Sequence, residues 1–258
     1  MSISSTWKSL YNNVIQNDYN SQQYYLKLIA EQVRNIPLEY LMKEQALFIP
    51  NDDYVSVFAG DSALFDENGF YYGGTSIWSD NVIFPIRSLN NDAQGIAGFN
   101  PRLYLYARET QDYSVHYYSY STKNLFSKGD YLFWGIDGFQ KAYRDGYVIL
   151  VDGIFDAIQL RGLGFNAAAL MGSTLTESII AQLRFIKRII VISDNDDAGM
   201  KLEQKLKRYL KCCVALHQGF DKDVDGAIKS GYDISIINEL RIMINEPVAL
   251  DHTLKNRY

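Results

Sequence analysis

Three pairs of aspartates follow apolar runs, and their spacing could do chemistry. Asp152 comes directly after Tyr147-Val148-Ile149-Leu150-Val151, is followed by Gly153, and is joined one helical turn later by Asp156. Asp194 and Asp196 come directly after Arg188-Ile189-Ile190-Val191-Ile192-Ser193, and the chain continues Asp197-Ala198-Gly199. Asp223 and Asp225 follow a third run, residues 213–216, across a short loop. A single aspartate after a strand is often only a helix cap or a turn former. Three pairs at one edge of one sheet are different, because clustered carboxylates repel and stay ionised at a cost unless cations join them. Hard oxygen donors favour Mg²⁺ or Mn²⁺ over zinc. Two such ions suit an in-line displacement at phosphorus, so the chemistry expected is phosphoryl transfer.

The elements around them read as alternating strands and helices. Residues 147–151 form a continuous apolar run, as expected of a strand buried on both faces. Residues 155–161 read as a helix stopping at Gly162, residues 167–170 as a second strand, and Thr176-Glu177 as the opening of a helix through Phe185. Residues 188–193 give a third strand, 198–210 an amphipathic helix, 213–216 a fourth strand, and 223–230 the start of another helix. This alternation predicts a parallel sheet covered by helices, with ligands at the carboxyl ends of its strands.

The first half reads differently. Residues 1–48 look helical: Tyr25, Leu26, Leu28, Ile29 and Val33 recur at helical spacing, Ile36-Pro37 ends that run, and residues 38–48 suggest a second short helix. Between residues 54 and 120, short β-type runs alternate with Gly, Asn and Asp clusters. Val82-Ile83-Phe84-Pro85-Ile86, the turn Asn90-Asn91-Asp92 and residues 95–99 predict a hairpin, with Pro85 marking an edge or a bulge. The expected division is a helical segment over 1–50, a mixed α+β unit over 51–140, an α/β unit over 141–232, and a terminal helix and tail over 233–258.

Composition narrows the classes. Hydrophobic residues make up 47% of the 258-residue chain, which argues for a packed core rather than disorder. The formal net charge of -5 is the wrong sign for a simple nucleic-acid binder, unless bound cations face the phosphates. The two cysteines, Cys212 and Cys213, are adjacent and form no CxxC pair, which excludes a zinc ribbon or finger and suits a reducing, cytoplasmic setting. No apolar run is long enough for a membrane helix. The 20 tyrosines, some in the run Tyr117-Tyr118-Ser119-Tyr120, fit half-buried strands or a surface for stacking unpaired bases.

At the aspartate motifs the sequence resembles the TOPRIM domain shared by bacterial-type primases, type IA and II topoisomerases and some nucleases. In that family one strand ends in Glu-Gly-x-x-Asp and another in Asp-x-Asp. Asp152-Gly153-Ile154-Phe155-Asp156 and Asp194-Asn195-Asp196 match, with Asp152 where the family has Glu. Asp194 to Gly199 is similar to the replicative primase form, Asp-x-Asp-x-Ala-Gly. Further segments resemble the bacterial, DnaG-like primase catalytic core: residues 169–176 between the acid motifs, Phe126-Ser127-Lys128-Gly129 and Phe133-Trp134-Gly135-Ile136 before the first, Ile83-Phe84-Pro85-Ile86-Arg87, and residues 95–102. Lys222-Asp223-Val224-Asp225 is similar to a Lys-Asp-Pro-Asp element that supplies more metal ligands. Asn81 and His116 stand where the family carries basic residues. The resemblance covers residues 50–231 and matches neither the zinc module nor the helicase-binding bundle, which suggests a minimal core from a phage or mobile element.

The resemblance implies an α/β TOPRIM domain preceded by a mixed α+β primase subdomain, making short RNA primers on single-stranded DNA from ribonucleoside triphosphates. Asp152, Asp156, Asp194 and Asp196 would be catalytic. Asp152, Asp194, Asp196, Asp223 and Asp225 would hold Mg²⁺ or Mn²⁺, with no zinc. Lys128, Arg102, Arg87 and Lys123 would grip nucleotide or template phosphates. A replicative helicase is an expected partner, and a membrane is not. Other readings are a TOPRIM nuclease or nicking enzyme, and an inert module that recruits replication proteins. His217 reads as structural, Phe133 and Trp134 as core, and the basic helix Lys201, Lys205, Lys207, Arg208, Lys211 as a solvated face.

Overall fold

The computed structural model describes residues 3–59, 71–72, 75–76, 78–112, 120–123, 130–171, 175–193, 197–210, 213–215 and 224–245. The chain opens with the long helix α1 (Ile3–Leu28), kinked at Asp18, which runs into a wider π-type segment (Ile29–Arg34). Asn35, in the left-handed region at φ 49°, ends it, and Pro37 precedes the short helix α2 (Leu38–Lys43). Here the expectation of helix through residue 48 is corrected. The helix stops at Lys43, Gln45 turns the chain at φ 56°, and Leu47–Ile49 is strand β1. All three β1 side chains are buried, and the buried Gln22 amide on α1 bonds both the N–H and the C=O of Phe48, at 2.8 Å each. The contacts that make this segment a strand are therefore tertiary.

After helix α3 (Tyr54–Ala59) and the small pair β2 (Tyr71–Tyr72) and β3 (Thr75–Ser76) comes the predicted hairpin: β4 (Asn81–Arg87) and β5 (Ala93–Phe99), antiparallel. β4 is an inner strand, but β1 pairs with it only from Asn81 to Ile83, so Pro85 lies beyond the stretch bonded on both sides. The register shifts just after it, between Ile86 and Arg87. Asn100 caps helix α4 (Pro101–Thr110), its side chain accepting from Leu103 N, with Pro101 in the first turn. Strand β6 (Tyr120–Lys123) completes the first sheet, in the order β1-β4-β5-β6.

The second sheet begins before residue 141, with β7 (Leu132–Phe133). Helix α5 (Gly138–Asp145) leads into β8 (Tyr147–Val151), α6 (Ile154–Gly162), β9 (Ala167–Leu170), α7 (Glu177–Leu183), β10 (Arg188–Ile192), α8 (Asp197–Tyr209) and β11 (Cys213–Ala215). The order is β11-β10-β8-β9-β7, parallel except for β7. Helix α9 (Val224–Ala227), a π-type turn and α10 (Asp233–Asn245) follow.

Strands β7 to β10 of the second sheet each feed two cores, as period-two geometry requires. Ile149, Val151, Ala167, Ala169, Ile190 and Ile192 face α6 and share a core with Phe84 and Phe99 of the first sheet. Val148, Leu150, Ala168, Leu170, Ile189 and Val191 face the other way, onto α5, α7 and α8. A third core packs Trp7, Leu10 and Val14 of α1 against the first sheet. The two sheets are thus joined through apolar side chains just beneath the first aspartate motif.

Candidate metal and nucleotide centre

The strand order creates one reversal. β8 leads through α6 to β9 on one side, and the next strand, β10, lies on the other side of β8. In a parallel α/β sheet, the crevice outside the carboxyl ends at such a reversal is where ligands bind. The register pairs Val151 with Ile192, so Asp152 and Ser193 leave the sheet level with each other, and Asp194 comes next. β11 is aligned on the far side of β10, Ala215 against Val191. Helix α9, which starts directly after Asp223, packs on α6, with Val224 and Ala227 in the same core as Phe155 and Ile192. The described backbone therefore brings Asp152, the end of β10 and the start of α9 toward one end of the second sheet.

Asp152 is half-buried in the bend after β8, and Asp156 is buried in the first turn of α6. Gly153 is the residue before that helix, in extended conformation. A Cβ built on Gly153 would collide with the Asp156 carboxylate oxygen, so the glycine leaves room for that carboxylate to fold over the helix start. Negative charge there is favoured by the helix N-terminus. Phe155, between the two acids, is clamped edge-on by Phe99 at 4.9 Å and Phe84 at 5.9 Å, and the buried Arg34 guanidinium lies 4.1 Å from its ring centroid. Arg34 also lies 5.0 Å from Tyr104. Arg34 was not among the residues singled out from the sequence. Its signal was an arginine directly after Val33, at the end of the apolar helical stripe before Ile36-Pro37.

Asp194, Asp196 and Asp223 lie outside the described residues, and Asp225 is placed by its backbone alone, within α9. Among the described residues no three His, Cys, Asp or Glu side chains gather as a metal cluster. The described acidic residues at this edge, Asp152 and Asp156, offer carboxylate oxygens, which suit Mg²⁺ or Mn²⁺. The room over Gly153, which only a residue without a side chain leaves, fits a site where a carboxylate must fold close to the backbone.

The basic candidates separate. Arg102, in the first turn of α4, is exposed and pairs with Asp80 at 3.1 Å. Arg87 is buried at the end of β4, donates to Asn91 O at 2.7 Å and to Gln45, and so holds the hairpin turn. Burial pulls its pKa below the usual arginine value, against the pull of Glu44. Lys123 ends β6, where only the backbone is described, and Lys128, His116, His217 and Tyr117 to Ser119 lie outside the described residues. Phe133 and Trp134 are core, and the Trp134 indole donates to Gln182 Oε1 at 3.1 Å.

A second missed feature is an ion pair that ties the halves together. Arg161, at the end of α6, donates from Nε to Glu44 Oε1 at 2.6 Å and from a terminal nitrogen to Ile136 O at 2.8 Å. Ile136 N donates to Glu44 Oε2 at 3.0 Å, and the Glu44 side chain is only 4% exposed. Gly135, at φ 68°, passes so close that a Cβ would strike the Glu44 carboxylate.

Comparison with known proteins agrees with this geometry. Residues 149–228 match the Toprim-like family. The chain is 30% identical to the DNA primase of Aquifex aeolicus over 182 residues, covering 67% of this chain and 34% of the relative. It is 34% identical to the DNA primase of Rickettsia prowazekii over 208 residues, 74% of this chain and 32% of the relative. The chain thus spans about a third of the length of these relatives. A solved structure of a DnaG primase catalytic domain bound to single-stranded DNA superposes with a TM-score of 0.65, at 19% identity, over 92% of this chain and 80% of the other.

Proposed function

We propose that this chain, which has the fold of the DnaG-like primase catalytic core with a TOPRIM domain, is a nucleotidyltransferase that builds short RNA primers on single-stranded DNA. The observation that carries the reading is the β8–β10 register, which sets Asp152 level with Ser193, the residue before Asp194 in sequence, at the reversal of the strand order. Asp152, Asp194, Asp196, Asp223 and Asp225 would hold Mg²⁺ or Mn²⁺. When bound, the ions neutralise triphosphate charge and favour an ionised 3′-hydroxyl. Asp156 fixes the first turn of α6 beside that edge. Asp152, the shorter residue in the position of a family glutamate, also manages a proton.

Arg102, Lys123 and Lys128 bear on template or nucleotide phosphates, and Arg87 contributes by shaping the β4–β5 turn. The chain works in the cytoplasm and is served by a replicative helicase. Among the described residues, no helix is long and apolar enough to cross a membrane.

The test is to incubate the protein with single-stranded template, labelled ribonucleotides and Mg²⁺ or Mn²⁺. Template-dependent short RNA that disappears with Asp194→Ala supports the proposal. Template cleavage without synthesis would replace it with a nuclease or nicking activity, and DNA binding without either would leave a recruitment module.

A further inference from the structure

The opposite end of the second sheet carries a surface that the carboxylate chemistry does not use. Tyr143, near the end of α5, is 59% exposed, and Phe185, just after α7, is 58% exposed. Both contact the half-buried Phe139: Tyr143 is stacked on it at 6.2 Å with planes 24° apart, and Phe185 meets it edge-on at 6.3 Å. Phe139 rests in turn on the buried Trp134 at 5.3 Å, so the group is anchored in the core. Exposed apolar residues scattered singly need no explanation, but exposed rings gathered on one anchored ring do.

The rim of this group is basic. Arg184 and Lys187 flank Phe185, are exposed, and form no ion pair among the described residues. The Lys187 stem lies against Gly146, within 3.5 Å of where a Cβ would stand, which places it at the end of α5. Arg144, beside Tyr143, is exposed and pairs with Asp145 at 3.3 Å, while Asp145 is also held by Asn166 at 3.0 Å. The acid is engaged, and the cations outnumber it. α5 and Phe185 precede β8 and β10, so the patch lies at the amino-terminal edge, about one strand length, roughly 16 Å, from the carboxylate end.

We propose that the Phe139–Tyr143–Phe185 patch, with Arg184 and Lys187, binds single-stranded nucleic acid at a second surface remote from the carboxylate edge. Exposed ring faces stack unpaired bases with little regard for sequence, and rim cations carry the phosphates. A duplex hides its base faces from such rings, and an acidic peptide would use the cations while leaving the rings idle. The inference rests on the nucleic-acid reading above only in expecting single strands near this chain.

The test uses the whole chain in EDTA with an oligothymidylate carrying 5-iodouracil. Photo-crosslinks are mapped by mass spectrometry, and affinity is followed by fluorescence anisotropy. Crosslinks are expected on Tyr143 or Phe185 and should vanish in the Tyr143→Ser/Phe185→Ser double variant, with affinity falling roughly fivefold or more for each ring lost. Arg184→Glu/Lys187→Glu, which leaves the rings in place, should lower the salt dependence of binding. Crosslinks confined to other residues, or affinity unchanged in both variants, would overturn the proposal. Equal displacement by polyglutamate and by oligothymidylate would overturn it in favour of an acidic protein partner. Crosslinks at the patch in a chain that makes no primers would sink the primase reading alone, and primer synthesis without them would sink this inference alone.

Discussion

Val151 and Ile192 are register partners in adjacent parallel strands, and the residues that follow them, Asp152 and Ser193, therefore leave the sheet side by side. Two strand ends far apart in sequence become one edge through that pairing. A shift of one residue would turn Val151 or Ile192 out of the shared core, so burial on both faces fixes the register that the site depends on.

Gly153→Ala tests how the first motif is held. The new methyl group would occupy the space of the Asp156 carboxylate oxygen, while the extended backbone at this position accepts alanine without strain. Catalysis should fall by at least about tenfold, because misplacement of a site group by an ångström is that severe or worse. Melting temperature should change little. Steady-state primer synthesis alongside thermal unfolding checks both. Full activity would mean that the Asp156 position does not matter.

The Glu44–Arg161 pair should behave as a buried ion pair. Glu44→Leu or Arg161→Met alone leaves a partner stranded, and each should destabilise the chain by about 3–5 kcal/mol. The Glu44→Leu/Arg161→Met double variant should cost much less than the sum, since apolar replacement of both partners removes the stranded charge. Urea unfolding of the four proteins gives the coupling.

Asp145 supplies a pH dependence. The hydrogen bond from Asn166 is the main cause that holds its carboxyl below the ordinary value of 3.8, with Arg144 and Lys141 acting in the same direction and burial opposing them. A carboxyl depressed on folding adds stability that is complete above its unfolded pKa and is lost as pH falls through the folded one. The contribution should therefore be present at and above about pH 4 and fade below it. Asp145→Asn should flatten the stability curve in that acid window and leave its slope near neutrality unchanged. Thermal melts at closely spaced pH values measure this.

The strands bearing the motifs were legible because burial on both faces writes a continuous apolar run, seen in residues 147–151 and 188–192. The β4–β5 hairpin was legible from its turn residues. Strand β1 was not, because nothing in Leu47-Phe48-Ile49 itself distinguishes it from a helix end, and its partners are Gln22 and β4. Helix α4 carried a readable Asn100-Pro101 start that the surrounding β-type runs obscured. Arg34 and the Glu44–Arg161 pair depend on contacts between distant segments, which no local pattern records. Of the candidate residues, Asp152 and Asp156 could be placed at the edge from the strand-and-turn pattern, whereas the burial of Arg87 in the hairpin turn emerged only from the packing.

The most direct measurement is Mn²⁺ binding, followed by electron paramagnetic resonance, to the chain and to Asp152→Asn, Asp194→Asn and the double variant. If the β8 and β10 ends form one site, each single substitution should weaken binding by roughly tenfold or more, and the double should lose little beyond either single. Independent, additive losses, or undiminished binding in either single variant, would contradict the account.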